Sequence, residues 1–194
     1  MKIRILGCGG SFGSPLAWKR HGNIDLSNKK NFRTRSSILI SYKDTNLLID
    51  TSPDLRQQLY DAKCTKIDAV LYTHIHSDHT SGLPDMRAMS LINDKIIPAY
   101  MPVEMQDEIL TTYKYIFKGE KDYRPFMKIK NLKDNFSVGG LNIETFKHNH
   151  GKIDVQTYRF GNFAYSTDLK NFYKKDLDKL KNLDLWIVGL LRYD

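Results

Sequence analysis

The chain has 194 residues, 30 Lys and Arg against 22 Asp and Glu for a net charge of +8, and two cysteines. That length can bury one sizeable core, no apolar run approaches the roughly 20 residues of a membrane helix, and two thiols build no disulfide framework. A disulfide-stapled secreted scaffold and a helical membrane protein are thereby excluded. No Pro/Gly/Ser-rich linker or repeat divides the sequence, so a single domain over 1–194 is expected. The opening MKIRILGCGG lacks the apolar region and small-residue cleavage site of a secretory leader, which predicts a cytoplasmic enzyme with no membrane partner. Positive charge attracts phosphate-bearing molecules. Here, however, lysines such as Lys118, Lys133, Lys174 and Lys181 are spread as on an ordinary solvated surface, and no nucleic-acid-recognition motif is present.

In chain order, KIRIL (2–6), SSILISY (36–42) and NLLID (46–50) read as strands, the last two joined by the turn KDT. In SPDLRQQLYDA, Ser52 can cap a helix, Pro53 takes its first position, and Leu55 and Leu59 share a face. DAVLYTH (68–74) is a buried strand, and PVEMQDEILTTYKYIF (102–117) a helix. FSVGG, LNIETFKH, VQTYRFG and NFAYSTD follow as strands, then a lysine-rich helix around 172–181 and a last buried strand, LDLWIVGLL. Strands and helices in this order imply sheet layers covered by helices, an α/β (α+β) fold.

DAVLYTH ends in THIHSDH, which places three histidines and an aspartate within seven positions. In an extended segment His74, His76 and Asp78 point to one side, and His79 turns to a second position. Imidazoles and a carboxylate with no cysteine nearby suit Zn, Mn or Fe in a hydrolytic site. Two of the remaining histidines, His148 and His150, lie in KHNHG after a strand, which leaves only His21 apart. Asp168, closing AYSTD, either bridges two ions or caps the following helix. The loop GCGGSFGSP has G-x-G-G-x-x-G spacing with Pro15 soon after, unlike a dinucleotide fingerprint. It reads equally as a tight turn needing positive φ or as backbone N–H groups facing a phosphate. Arg33 and Arg35 read as salt-bridge partners rather than phosphate ligands.

THIHSDHTSGLPD resembles the signature of the metallo-β-lactamase superfamily, and the resemblance spans nearly the whole chain. GCGGSFGSP, NFRTRSSILI, LLIDTSPDLRQQL, HTSGLPDMR and RFGNFAYSTD make it most similar to the phosphoribosyl 1,2-cyclic phosphate phosphodiesterase branch, and more distantly to ribonuclease Z. The resemblance implies a four-layer αβ/βα sandwich with two divalent ions, Zn or Mn, at the edge between its sheets. His74, His76 and His150 would hold one ion, Asp78 and His79 the other, and Asp168 would bridge them; Asp78 and Asp168 would be the catalytic carboxylates. His148 competes for the His150 role, but His150 directly precedes glycine, as the family histidine does. Asp50 matches the buried aspartate that orients the ligands from behind. Two ions about 4 Å apart would activate a water to attack a phosphodiester. The implied substrate is a small cyclic or nucleotide-like phosphodiester; the substrate-contacting residues are unknown, a nucleic acid is the less favoured partner, and a homodimer is in keeping with relatives.

Two departures stand out. The segment WKRHGNIDLSNKKNFR has no cysteine where relatives often carry a structural zinc site, so with His21 alone no structural zinc is expected. Relatives also follow the last strand with a histidine for the second ion and tend to have an aspartate where Gly189 stands. This sequence stops at Asp194, so a shortened chain with a weak second metal site, an impaired enzyme or a non-catalytic remnant, is expected.

Overall fold

The computed structural model describes residues 1–17 and 23–189. Alternation with period two builds its first sheet. Strand β1 (Lys2–Gly7) pairs antiparallel with β2 (Ser37–Tyr42), and β2 with β3 (Thr45–Ile49), while β4 (Ala69–Leu71), β5 (Ile97–Met101) and β6 (Met127–Asn131) continue parallel to β3. Parallel neighbours need crossovers. These are supplied by α1 (Leu55–Ala62), by the short α2 (Ser77–Thr80) with α3 (Met86–Ile92), and by α4 (Val103–Lys118). Leu39, Leu48, Val70 and Tyr72 point to the helical side and pack with Leu55, Leu59, Met86, Met105 and Ile109.

Ile38, Ile40, Leu47, Ile49 and Leu71 point the other way, into a second core against Leu141, Ile143, Tyr158, Phe160 and Phe163. Those residues belong to the second sheet. It consists of β7 (Asn135–Val138), β8 (Leu141–His150), β9 (Ile153–Phe160), β10 (Phe163–Ser166), β11 (Asn171–Phe172) and β12 (Leu185–Val188), with β9 between β8 and β10 and with β12 parallel to β10. The site therefore gathers where β3, β4, β8 and β10 end.

Several elements differ from the sequence reading. Helix α1 starts at Leu55, after Pro53 and Asp54; Ser52 Oγ donates instead to Gln58 Oε1 at 2.9 Å and accepts the Asp54 N–H at 3.2 Å, closing a turn ahead of the helix. The lysine-rich stretch is a 3₁₀ segment, Lys174–Leu180. The last strand is an exposed edge, with Leu185 45% and Trp186 39% accessible. Strands β5 and β6 carry no clean alternating signal, because Pro98 interrupts one and three lysine or asparagine side chains dominate the other. His21 and the end of LDLWIVGLL lie outside the described residues.

The two segments nearest the site are clamped through backbone bonds. Thr51 N–H donates to His79 O and Gly82 N–H to Thr51 O, both at 2.9 Å. A Cβ on Gly82 would lie 2.1 Å from Ser52 O and 2.9 Å from Leu55 Cβ, so only glycine lets α2 approach this closely. Overpacking of this kind costs about 1–3 kcal/mol. Gly82→Ala is expected to lower the unfolding free energy by about 2 kcal/mol or more in urea titrations. A variant as stable as the parent would show that the contact is not tight.

Candidate metal centre

Strand β3 ends in Asp50, whose φ of 61° is left-handed and whose side chain is fully buried. Such a backbone costs of order 1 kcal/mol and is tolerated best by Asp, Asn and Gly. Its carboxylate accepts three bonds: Thr73 N–H on Oδ1 at 2.8 Å, and Thr73 Oγ1–H and His79 Nδ1–H on Oδ2, both at 2.7 Å. Thr73 has thus spent its hydroxyl proton, so at 2.9 Å it accepts from His74 Nδ1. Both histidines are left with Nε2 as the free, lone-pair nitrogen.

Those nitrogens face one another's partners. His74 Nε2 is 3.0 Å from His76 Nδ1 and 3.4 Å from Asp168 Oδ2. His79 Nε2 is 3.2 Å from Asp168 Oδ2 and 3.4 Å from Asp78 Oδ2. Yet it is buried without a hydrogen bond, because these oxygens are near but not aligned for one. A buried lone pair turned towards two carboxylate oxygens is repulsive unless a cation sits among them, whether a proton or a metal. Ligand atoms of His74, His76, His150 and Asp168 lie within 4.8 Å of one another, as do those of Asp78, His79 and Asp168. Two sets sharing one carboxylate fit two divalent ions, and neutral imidazole with carboxylate suits Zn, Mn or Fe.

The electrostatics agree with that fit. Burial pushes the His74 pKa below its ordinary value, which favours the neutral donor form. Burial acts the same way on His79, but Asp50, Asp168 and Asp78 outweigh it and hold that imidazole well above the ordinary value. For Asp168, burial would raise the carboxyl, yet His74 and His79 bring it well below the usual range.

The segment from His74 to His79 is extended only in part. His74 and His76 do converge, but Ser77–Thr80 is a helical turn with His76 as its N-cap, and it carries Asp78 away to the His79 set. His150, 32% accessible in its side chain at the β8–β9 turn, joins the first set. His148 does not. It is fully buried, accepts from Thr157 Oγ1 on Nδ1 at 2.9 Å and donates from Nε2 to Thr167 O at 2.8 Å, and burial pushes its pKa down to about 4. Thr157 Oγ1 in turn meets Ser166 Oγ at 2.9 Å, which accepts from Trp186 Nε1 at 3.1 Å. This buried chain fixes the backbone just before Asp168, whose own φ is 51°.

The other residues singled out from sequence lie in structural roles. Gly9 N–H, Gly13 N–H and Ser14 N–H pair with Thr34 O, Gly10 O and Arg33 O, and Gly13 has φ +71°, so the glycine loop is a turn closed on its own neighbours. Arg35 is ion-paired to Asp54 at 2.9 Å, and Arg33 Nε reaches Lys30 O at 3.5 Å. Gly189 donates to Ser166 O, and a Cβ there would stand 3.1 Å from Asp168 N. Sequence reasoning missed Thr73, although a hydroxyl directly before the first histidine was a visible signal.

Residues 45–194 match the family profile described as the beta-lactamase superfamily domain. The chain belongs to that superfamily. Its α/β fold is shared, over 95% of its length and 71% of the other chain, with a crystal structure of a diphosphatase from the PhnP family, at 28% identity and a TM-score of 0.83. A Porphyromonas gingivalis octanoyltransferase is 32% identical over 197 residues, covering all of this chain and 40% of that protein. A Lachnospira eligens ribonuclease Z is 24% identical over 158 residues, 79% of this chain and 49% of the relative. The chain thus spans less than half the length of these two curated relatives. The superfamily is one of metal-dependent hydrolases, and no helix among the described residues is long and apolar enough to cross a membrane.

Two outcomes follow from the hydrogen-bond scheme. Because His79 holds a proton above its ordinary pKa, an incoming metal must expel it; affinity should rise with pH through neutrality. Calorimetric zinc titrations in buffers of different ionisation enthalpy should therefore show proton release, and a pH-independent affinity would show that His79 carries no such second proton. Asp50→Asn keeps the shape and tolerates the backbone, but turns one acceptor into a donor. Its metal affinity should fall about 10–100-fold in chelator competition.

Proposed function

We propose that this chain is a metal-dependent phosphodiesterase acting on a small cyclic or nucleotide-like phosphodiester. The observation that carries this reading is the pair of ligand sets joined at Asp168. A bound ion pair at such a site supplies Lewis acidity toward a phosphoryl oxygen and a water of lowered pKa. The chain's own residues do the rest: Asp50 and Thr73 hold the His74 and His79 tautomers, and Asp78 and Asp168 contribute the negative charge that retains divalent cations. His74, His76 and His150 with Asp168 would hold one Zn or Mn ion, and Asp78, His79 and Asp168 a second. The second set offers one residue fewer among the described residues, so it should release its metal first.

The named relatives support phosphorus chemistry, since a diphosphatase and a ribonuclease both break phosphate linkages. Octanoyl transfer is less well supported: neither Cys8 nor Cys64 belongs to the ligand sets, so no thiol nucleophile stands there. A ribonuclease Z-like nuclease is the second reading, favoured by that relative and the charge of +8. It requires tRNA affinity that falls steeply with salt.

The full chain loaded with zinc or manganese should hydrolyse bis-p-nitrophenyl phosphate. His76→Ala should lose bound metal and at least about 100-fold in rate. If that variant kept the metal content and rate of the parent, the assignment would fail, and metal-free protein with no turnover would favour a non-catalytic binding role.

A further inference from the structure

The first sheet carries a groove that the metal centre does not use. Two cavities, of about 450 and 300 Å³, share Ile96 and Pro125 and so form one furrow. It runs from α3 past the starts of β5 and β6 to α4. Strands β3 to β6 are parallel and the histidines follow the end of β4, so the furrow lies at the opposite end of the sheet from the metal centre. A molecule held there leaves that centre open.

The walls are apolar and uncovered. Leu91, Ile96 and Tyr123 stand 48%, 51% and 45% exposed around the larger cavity, and the adjoining Ile92 is 73% exposed. Single exposed apolar residues are ordinary, but a cluster of them rimmed by polar groups marks an interaction surface. Strand β6 is the last of its sheet, so among the described residues no further strand covers that side.

The rim is positive. Six lysines and arginines line the furrow against Asp94 and Asp122, an excess equal to half of the chain's +8. Lys95 is taken up by Asp68 at 3.0 Å, and Arg124 stands 3.8 Å from Asp94 with both side chains more than three-quarters exposed, where water screens the pair. Lys118, Lys121 and Lys128 have no carboxylate partner among the described residues.

Charge and shape together select the occupant. Arg87 covers one face of Tyr123, its guanidinium carbon 4.5 Å from the ring centroid, and the other exposed walls are aliphatic. A nucleic-acid strand, whose bases seek open aromatic faces, would use the cations but not the furrow. A second copy of this chain would bring the same positive excess to the contact, and like charge opposes that pairing. An acidic polypeptide meets both demands, with carboxylates for the rim and apolar side chains for the cavities. We infer that this furrow is a docking surface for an acidic segment of another protein, whose leucine- or phenylalanine-type side chains enter the cavities while its carboxylates meet Lys118, Lys121, Arg124 and Lys128.

The test titrates the peptide EELFEELFEE into the full chain by calorimetry and follows it by NMR. This peptide should bind and shift the Leu91, Ile96 and Tyr123 signals. The peptides EESSEESSEE, which has the charge without the anchors, and KKLFKKLFKK, which has the anchors with the opposite charge, should each bind at least about tenfold more weakly. Lys121→Glu combined with Arg124→Glu, both at exposed positions, should weaken the first peptide at least about tenfold and leave the melting temperature and zinc content of the parent unchanged. No binding of the first peptide, equal affinity for the serine peptide, or an unchanged affinity in the double variant would each overturn the proposal; the first two need no variant to fold. Tighter binding of oligouridylate or of phosphatidylglycerol vesicles with the same signal shifts, or a dimer in sedimentation that protects these residues, would also overturn it, by naming a different occupant.

Discussion

Three hydrogen bonds to the buried carboxylate of Asp50 decide what the rest of this centre can be. A carboxylate in a fully buried position must be compensated, and among the described residues compensation comes from donors on Thr73 and His79. The demand runs outward: because Thr73 gives its proton inward, it must receive one from His74, so a single buried charge sets the tautomers of two rings. Both then offer Nε2 lone pairs into a space shared with Asp78 and Asp168. The core beneath supports this arrangement. Tyr72 Oη meets Thr51 Oγ1 at 3.0 Å and Tyr158 Oη donates to Tyr72 O at 2.5 Å, which ties the second sheet to the strand that carries the histidines.

Much of this was legible in the amino-acid sequence, for reasons that differ from residue to residue. The strands β2, β3 and β8 to β10 announce themselves through their apolar residues, because each buries one or both faces between layers, whereas β1 is an edge strand with only partly buried apolar residues. His74 and His76 are readable as a pair from period two alone. Asp78 is not: the chain turns helical at Ser77, and nothing in S-D-H-T forces that turn except the backbone bonds that Thr51 and Gly82 make around it. His150 and Asp168 are separated from the cluster by more than seventy residues, so residue type made them candidates, but spacing could not join them to it; the resemblance supplied that step. The choice between His148 and His150 likewise rested on a following glycine. In the fold the two share a face of β8, and it rests on depth: His148 is bonded to Thr157 and Thr167 in the interior, whereas His150 ends the strand beside Asp168.

His79 Nε2 shows the opposite limit. A polar atom whose meaning depends on the absence of a partner cannot be recognised before the partners are placed, and this one is buried without a hydrogen bond, a physical sign of a cation at the centre.

The position of Asp168 is set from the interior rather than by whatever the site binds. From the exposed Trp186 the chain runs inward through the buried Ser166 and Thr157 to the buried His148, each polar atom paired, and the last link is a donor aimed at Thr167 O. Only a neutral His148 can accept at Nδ1 while donating at Nε2, and burial keeps it neutral at physiological pH. Phe172 packs beside both His148 and Trp186, with ring centroids 5.3 and 5.6 Å away. The carboxylate that both ligand sets share is therefore held in a left-handed backbone by the second sheet, while Asp50, also left-handed, is held by the first. Two strained aspartates, one from each sheet, fix the two sides of the centre before any ion arrives. That is the preorganisation the proposed two-metal site would need, because like-charged carboxylates brought together without such constraint would move apart.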